Sequence, residues 1–198
     1  QYLWDRVTSD ILSQVKTITS TMDEDFTAAA RTYFQATLVG YIITAEKTIV
    51  FGCGDGVYAI NGDIKIVTPP ADGNYPPYII YSLIGSSVYS FNDSAIRLQQ
   101  FDIRDTDTIE SICVGTDGVV DLINAYEKNI PGQYTPVGSF EKLWTDTTYI
   151  TNPFWLQNRL SLYNTAKAKR ESDNSMVIHK GLLQDDTTII LTIKNKEQ

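Results

Sequence analysis

Residues 111–123, Ser-Ile-Cys-Val-Gly-Thr-Asp-Gly-Val-Val-Asp-Leu-Ile, pass from a strand pattern to a helix pattern with a carboxylate at the junction. The apolar run before Asp117 has strand length, and the apolar spacing after Gly118 is helical. Asp121 follows Asp117 by one helical turn, so both fall on one helix face. Paired carboxylates repel unless a cation lies between them, and oxygen-rich sites suit magnesium, manganese or calcium. The stretch therefore predicts a metal site; the alternative is an Asp-Gly turn that caps a helix.

The composition is typical of one globular domain spanning residues 1–198. Apolar residues make up 42% of the 198 residues and charged ones 20%, and the many Tyr, Thr and Ile residues favour sheet. A net charge of −8 without a basic run argues against nucleic acid or a membrane surface as the main partner. No segment resembles a membrane span or a signal peptide. Cys53 and Cys113 both fall in predicted strands, where buried reduced thiols are common, so we predict a cytoplasmic protein.

Two helices are predicted at the start of the chain. Apolar residues at spacings of three and four predict an amphipathic helix over residues 2–19, and Asp23 is predicted to cap a second helix that begins near Phe26. Farther along, Asn152 and Pro153 are a cap and a first-turn proline, which predict a helix to about residue 164.

Strand patterns dominate the rest of the chain. Asp55 lies between two glycines that allow a sharp bend, which would put its carboxylate at a sheet edge; a bulge is the alternative. His179 is the only histidine, which excludes a histidine-based triad and a histidine-rich metal site. The basic cluster Lys167, Lys169 and Arg170 begins a polar stretch to residue 175, which predicts a solvated turn; a dock for a substrate phosphate is the alternative. The further expectations are a hairpin over 38–53 that continues to residue 67 as an antiparallel meander, a loop over 68–77, a strand-like run over 78–81, and a strand over 189–193 buried on both faces.

Three acidic motifs in this order resemble those of the metal-dependent protein phosphatases, the PPM or type 2C serine/threonine phosphatases, in their bacterial branch. The first resembles the family's Gly-Asp-Ser motif with Gly56 in place of Ser, and a segment like Ala36-Thr37-Leu38-Val39 precedes that motif in the family. The three motifs are Cys53-Gly54-Asp55-Gly56, Thr116-Asp117-Gly118-Val119-Val120-Asp121 and Asp185-Asp186-Thr187-Thr188-Ile189-Ile190.

The resemblance implies an α+β fold in which two antiparallel β-sheets pack face to face between helices, an α-β-β-α sandwich. It implies two Mn²⁺ or Mg²⁺ ions at one end of the sandwich. Asp117 and Asp185 match ligands of that pair, and Asp55, Asp117 and Asp121 match ligands of a third, weaker ion. The implied activity is hydrolysis of phosphoserine or phosphothreonine by metal-activated water. The implied partners are a phosphorylated protein substrate and a cognate serine/threonine kinase.

The family's first half carries an Asp-Gly-x-Gly-type motif that supplies a metal-bridging Asp, and the present chain contains no such motif before its first predicted helix. We therefore interpret residues 1–198 as the C-terminal two-thirds of the phosphatase domain, without catalytic residues of its own beyond the metal ligands. A truncated, non-catalytic binding or regulatory module of the same fold is the alternative. An unrelated β-sandwich whose Asp residues only form turns is a third, weaker interpretation.

Overall fold

The fold is described from a computed structural model over residues 2–67, 76–84, 95–170, 172, 174–183 and 186–195. Across these residues the predicted α+β class is confirmed, because antiparallel sheets are flanked by helices. The elements in chain order are α1 (Tyr2–Thr19), α2 (Phe26–Tyr33), β1 (Leu38–Ile43), β2 (Lys47–Cys53), β3 (Gly56–Ile60), β4 (Asp63–Val67), α3 (Tyr81–Ile84), β5 (Gln99–Asp105), β6 (Ser111–Gly115), α4 (Gly118–Asn124), α5 (Lys142–Thr145), α6 (Thr147–Thr151), α7 (Pro153–Asn164), β7 (Lys167–Arg170), β8 (Met176–His179) and β9 (Ile189–Ile193).

Internal contacts divide the chain into two compact units. The first unit contains Gln1–Gly56 and Ile66–Thr108, and the second contains Val57–Lys65 and Ile109–Gln198. Each unit has its own buried apolar clusters. The interpretation of residues 1–198 as a single domain stays a prediction.

The two N-terminal helices of the first unit form where the apolar pattern predicts them. In α1, Trp4 is buried and its ring stacks on Phe51 with 4.7 Å between centroids. Helix α2 starts after Asp25, whose carboxylate accepts a hydrogen bond from the backbone N–H of Ala28 at 3.1 Å. The prediction that Asp23 caps α2 is wrong, because Asp25 stands directly before the first helical residue and so holds the N-cap position.

The sheet of the first unit has the strand order β1-β2-β5. The predicted hairpin is confirmed, since β1 and β2 pair antiparallel across a short link. The hydroxyl of Thr44 fixes that link by accepting a hydrogen bond from the N–H of Lys47 at 2.9 Å and donating one to its carbonyl at 2.8 Å. Strand β5 pairs with the other side of β2, where Ile103 lies opposite Ile49.

The predicted single meander over residues 38–67 is wrong, because β3 and β4 belong to a different sheet from β1 and β2. The chain turns between the sheets at Gly54, which has φ +103°. A Cβ atom at this glycine would lie 2.8 Å from Oγ1 of Thr37. Glycine is therefore favoured at this position for two reasons: it adopts the positive φ without strain, and its lack of a side chain leaves room for Thr37.

The second unit is built on the four-stranded sheet β4-β3-β6-β9. Every residue of β6 is buried. Helix α7 confirms the sequence prediction, since Oδ1 of Asn152 accepts a hydrogen bond from the N–H of Phe154 at 3.0 Å. The buried residues of this core are Val57, Ala59, Cys113, Val119, Leu122, Ala125, Ile130, Val137, Phe140, Leu143, Tyr163 and Leu183.

Three further predictions of local structure are wrong. Strand β9 is not buried on both faces: it lies at one end of the strand order and Ile190 is 50% exposed. Residues 78–81 are not a strand: a turn at residues 79–80 leads into α3, which begins at Tyr81. The stretch expected as a solvated turn contains β7, which pairs antiparallel with β8 so that Lys169 lies opposite Val177. Of the loop predicted over 68–77, residues 68–75 lie outside the described residues.

Candidate metal centre at one end of the four-stranded sheet

The strand register gathers three chain segments at one end of the second unit's sheet. Val57, near the start of β3, lies opposite Gly115 at the end of β6. Gly115 also lies opposite Ile189 at the start of β9. Because neighbouring strands in this sheet run antiparallel, the segment after β6 and the segment before β9 emerge side by side. These are the segments that carry the second and third acidic motifs.

Thr116 joins those two motifs through hydrogen bonds. Its hydroxyl accepts a bond from the N–H of Thr188 at 3.0 Å and donates one to the carbonyl of Asp186 at 3.1 Å. Its own N–H donates to the carbonyl of Thr188 at 3.0 Å. We call this set of bonds the Thr116 clamp. Sequence analysis missed it, although a hydroxyl residue next to the motif aspartate is a signal that could have indicated it.

Gly115 allows the close packing beneath this clamp. A Cβ atom there would lie 2.5 Å from Cγ2 of Val119 and 3.1 Å from the carbonyl oxygen of Thr188. Helix α4 and the segment before β9 therefore approach the end of β6 more closely than a side chain at this position would permit.

Asp117 caps α4. Its Oδ1 accepts a hydrogen bond from the N–H of Gly118 at 2.9 Å, so the capping interpretation of this residue describes the structure. Asp121 lies in the first turn of α4, and both carboxylates are half-buried. A carboxylate that caps a helix can still bind a cation, because its two oxygens have about four lone-pair sites in all. Negative charge is also favoured at a helix N-terminus.

The other two predicted ligands are Asp55 and Asp185. Asp55 belongs to the first unit, where its Oδ1 accepts a hydrogen bond from Oγ1 of Thr37 at 2.8 Å. Thr37 lies in the segment that the family resemblance singled out before β1. Asp185 lies outside the described residues. The meeting of Asp55 and Asp185 with Asp117 and Asp121 therefore stays a prediction.

The donor chemistry suits a hard divalent cation, because Asp117 and Asp121 offer carboxylate oxygens, which Mg²⁺ and Mn²⁺ prefer. Among the described residues, no group of three or more His, Cys, Asp or Glu side chains is placed to hold a metal ion. The described carboxylates thus fit part of the implied shell, and its completion would require Asp185, Asp55 or both.

A cavity of about 560 Å³ opens beside the third motif. It lies between α7 and residues 186–189. One wall carries Gln157, Ser161 and Asn164, which share a face of α7, and Thr187 lines the opposite wall. The cavity offers hydroxyl and amide groups next to the end of the sheet where the two motifs meet.

The two cysteines do not supply a nucleophile. Burial raises the pKa of the Cys113 thiol to about 12. Burial also raises the pKa of the Cys53 thiol to about 12, although a hydrogen bond from the Gly54 backbone lowers it. At neutral pH both remain protonated, and only the thiolate is strongly nucleophilic.

Comparisons with protein-family models, curated proteins and solved structures each found no match to this chain. None of the helices within the described residues combines the length and apolarity needed to cross a bilayer.

Proposed function

We propose that this chain is the C-terminal part of a Mn²⁺- or Mg²⁺-dependent phosphatase domain that hydrolyses phosphoserine and phosphothreonine in proteins. The observation that carries the proposal is the Thr116 clamp, which joins the Asp117 motif to the Asp185-Asp186-Thr187-Thr188 motif. The two motifs are separated by most of the second unit's sequence.

In this proposal Asp117 and Asp185 hold the paired cations, and Asp55, Asp117 and Asp121 hold the weaker third ion. When bound, such ions activate water and offset the negative charge that develops on the phosphoryl oxygens. The N–H of Gly118 holds one oxygen of Asp117, and Thr116 holds the backbone carbonyl of Asp186, the neighbour of Asp185 in sequence. A ligand held as Asp117 is does not have to reorganise when a cation binds.

The decisive test is phosphate release from a phosphothreonine peptide, assayed on a protein that joins this chain to an upstream Asp-Gly-x-Gly-type motif. Activity should require added Mn²⁺ and disappear with EDTA. Asp117→Asn should reduce kcat/KM by about 100-fold or more, since loss of a ligand should exceed the 10–100-fold cost of losing an outer-shell partner. Asparagine is as good an N-cap as aspartate, so this variant removes charge and keeps the cap of α4.

Asp185→Asn should show a comparable loss, while Asp23→Asn, in the exposed turn between α1 and α2, should keep full activity. Unchanged thermal unfolding of Asp117→Asn would show that lost activity is not lost folding. Full activity in either ligand variant would overturn the proposal.

A phosphatase-fold module without catalysis is the second candidate. It is favoured by the engagement of Asp55, whose carboxylate accepts a hydrogen bond from the hydroxyl of Thr37 inside the first unit. Calorimetric titration of the metal-free protein with Mn²⁺ separates the two functions. Saturable binding that Asp117→Asn removes supports the phosphatase, and a titration without binding heat supports the module.

A further inference from the structure

A second cavity lies in the first unit, on helix α1. It is an open cleft of about 650 Å³ between one side of α1 and the segments around α3 and Ile96. Its volume is within the range of about 300–1,000 Å³ that small-molecule sites occupy. No residue of the candidate metal centre lines this cleft.

The side of α1 that lines the cleft is polar and exposed. Asp5, Ser9, Ser13 and Lys16 recur at helical spacing along this side and all line the cleft. Serine is a poorer helix former than alanine or leucine, so its repeated use on one side of α1 does not serve helix stability. These residues place hydroxyl and ammonium groups along an accessible space.

The floor of the cleft is apolar and firmly packed. Ile96 is 5% exposed, Tyr81 is 1% exposed, and both belong to the same buried cluster as Val15 of α1. Leu12 adds a half-buried apolar side chain. A ligand in the cleft would therefore meet an apolar surface beneath it and polar groups along one side.

The charges in the cleft favour an anion. The guanidinium of Arg97 lies 3.7 Å from the carboxylate of Asp5, which leaves that end of the cleft close to neutral. Lys16 forms no ion pair within the described part of the chain. It lies three turns of helix away from Asp5, so the pair cannot neutralise it. Among the described residues that line the cleft, the cations Lys16 and Arg97 outnumber the one anion, Asp5, in a chain whose net charge is −8.

We infer that this cleft binds a small organic oxyanion, with an apolar body against Leu12 and Ile96 and a carboxylate or phosphate group beside Lys16. The hydroxyls of Ser9 and Ser13 donate hydrogen bonds to the same oxyanion or to polar atoms of the body. The site needs no metal ion and is independent of the proposed phosphatase activity.

The test is ¹H–¹⁵N NMR titration of the chain in EDTA with phenyl phosphate and, separately, benzoate. Ligands of about ten non-hydrogen atoms should bind with a Kd of about 1 mM or tighter. The shifts should concentrate in the amides of residues 9–16 and 96–97. Binding of one probe alone identifies which oxyanion the cleft prefers, and the proposal stands with either.

Lys16→Gln should weaken binding by about ten-fold, the effect expected for loss of a hydrogen bond to a charged group. Lys65→Gln is the matched control, because Lys65 is also exposed but lies outside the cleft and pairs with Asp63 at 3.0 Å; the Kd of this variant should not change. Ser13→Leu should block both probes by filling the cleft. The inference is overturned if neither probe saturates, if benzyl alcohol or inorganic phosphate binds as tightly as the probes, or if Lys16→Gln binds like the parent chain.

Discussion

Strands β6 and β9 are neighbours in one sheet and carry the two motifs of the candidate metal centre, yet their burial differs sharply. All residues of β6 are buried, whereas β9 alternates between half-buried and exposed positions. The more apolar sequence is that of β9, Ile-Ile-Leu-Thr-Ile, against Ser-Ile-Cys-Val-Gly in β6. Burial therefore follows the place of a strand in the sheet: β6 lies between β3 and β9, and β9 ends the strand order.

This difference determines how firmly each motif is held. Asp117 follows a strand that is fixed on both sides, and its carboxylate also caps α4. Asp186 is exposed and precedes β9, which pairs with β6 alone in the described sheet. The hydroxyl of Thr116 donates a hydrogen bond to the backbone carbonyl of Asp186 and so holds this segment at the end of the sheet. We expect the Asp117 side of the centre to be rigid and the Asp186 side to be adjustable, as a site that closes on a ligand requires.

The largest expected effect of this contrast is on thiol reactivity. Cys113 in β6 should react with a thiol reagent at pH 8 about 10³-fold more slowly than a thiol introduced on β9 by Ile190→Cys, because burial raises the pKa of Cys113 from about 9 to about 12. Mass spectrometry of the labelled chain gives both rates. Labelling of the two thiols at similar rates would show that β6 is not the rigid strand.

The same thiol makes stability depend on pH in a direction that can be checked. The folded state keeps Cys113 protonated up to about pH 12, whereas the unfolded chain releases this proton near pH 9. The stabilisation is complete below pH 9 and is lost as pH rises from 9 towards 12. Lysines and tyrosines titrate in the same range, so the contribution of Cys113 is read from the difference between the parent chain and Cys113→Ala.

A second test compares the strands by truncation. Ile112→Ala in β6 should lower the free energy of unfolding by about 2–5 kcal/mol, because Ile112 is 1% exposed and its loss leaves a cavity. Ile190→Ala in β9 should cost about 1 kcal/mol or less, because Ile190 is already 50% exposed. Urea unfolding followed by circular dichroism measures both values. Equal losses would contradict the assignment of β9 as the less buried strand.

Local chemistry explains which parts of the fold could be predicted. Helix α1 follows from its own apolar spacing, α7 from Asn152 and Pro153, and the β1–β2 hairpin from two adjacent strand patterns. The division of strands between sheets was mispredicted, because pairing of β3 with β6 joins residues about fifty positions apart and leaves no local signal. The burial of β9 was mispredicted for the same reason: an edge position is a property of the sheet.

The candidate site also has parts that local sequence could predict and parts that it could not. The junction of β6 and α4 at Asp117 is local and was predicted with its alternative role as a cap. The hydroxyl of Thr116 beside the motif aspartate was a signal for the Thr116 clamp, but its partners could not be predicted, since they depend on the register of β9. Lys16 gave no signal as a site residue either, because its significance depends on the cleft formed with residues distant in sequence.

The smallest expected effect concerns the clamp that connects the two strands' motifs. Thr116→Val keeps the shape of the side chain but removes the hydroxyl that bonds Asp186 and Thr188, and should destabilise the chain by about 1 kcal/mol. Thr188 is exposed, so water can replace part of the lost hydrogen bonding, which limits the loss of stability.

The sharper readout of Thr116→Val is hydrogen exchange, in which the amide of Thr188 should exchange several-fold faster while the amides of β6 keep their protection. Thr17→Val is the matched control, because its exposed hydroxyl bonds only the carbonyl of Ser13 within α1. Unchanged exchange at Thr188 would mean that the β9 side is held by its own strand pairing, and the contrast between a rigid and an adjustable half of the centre would fail.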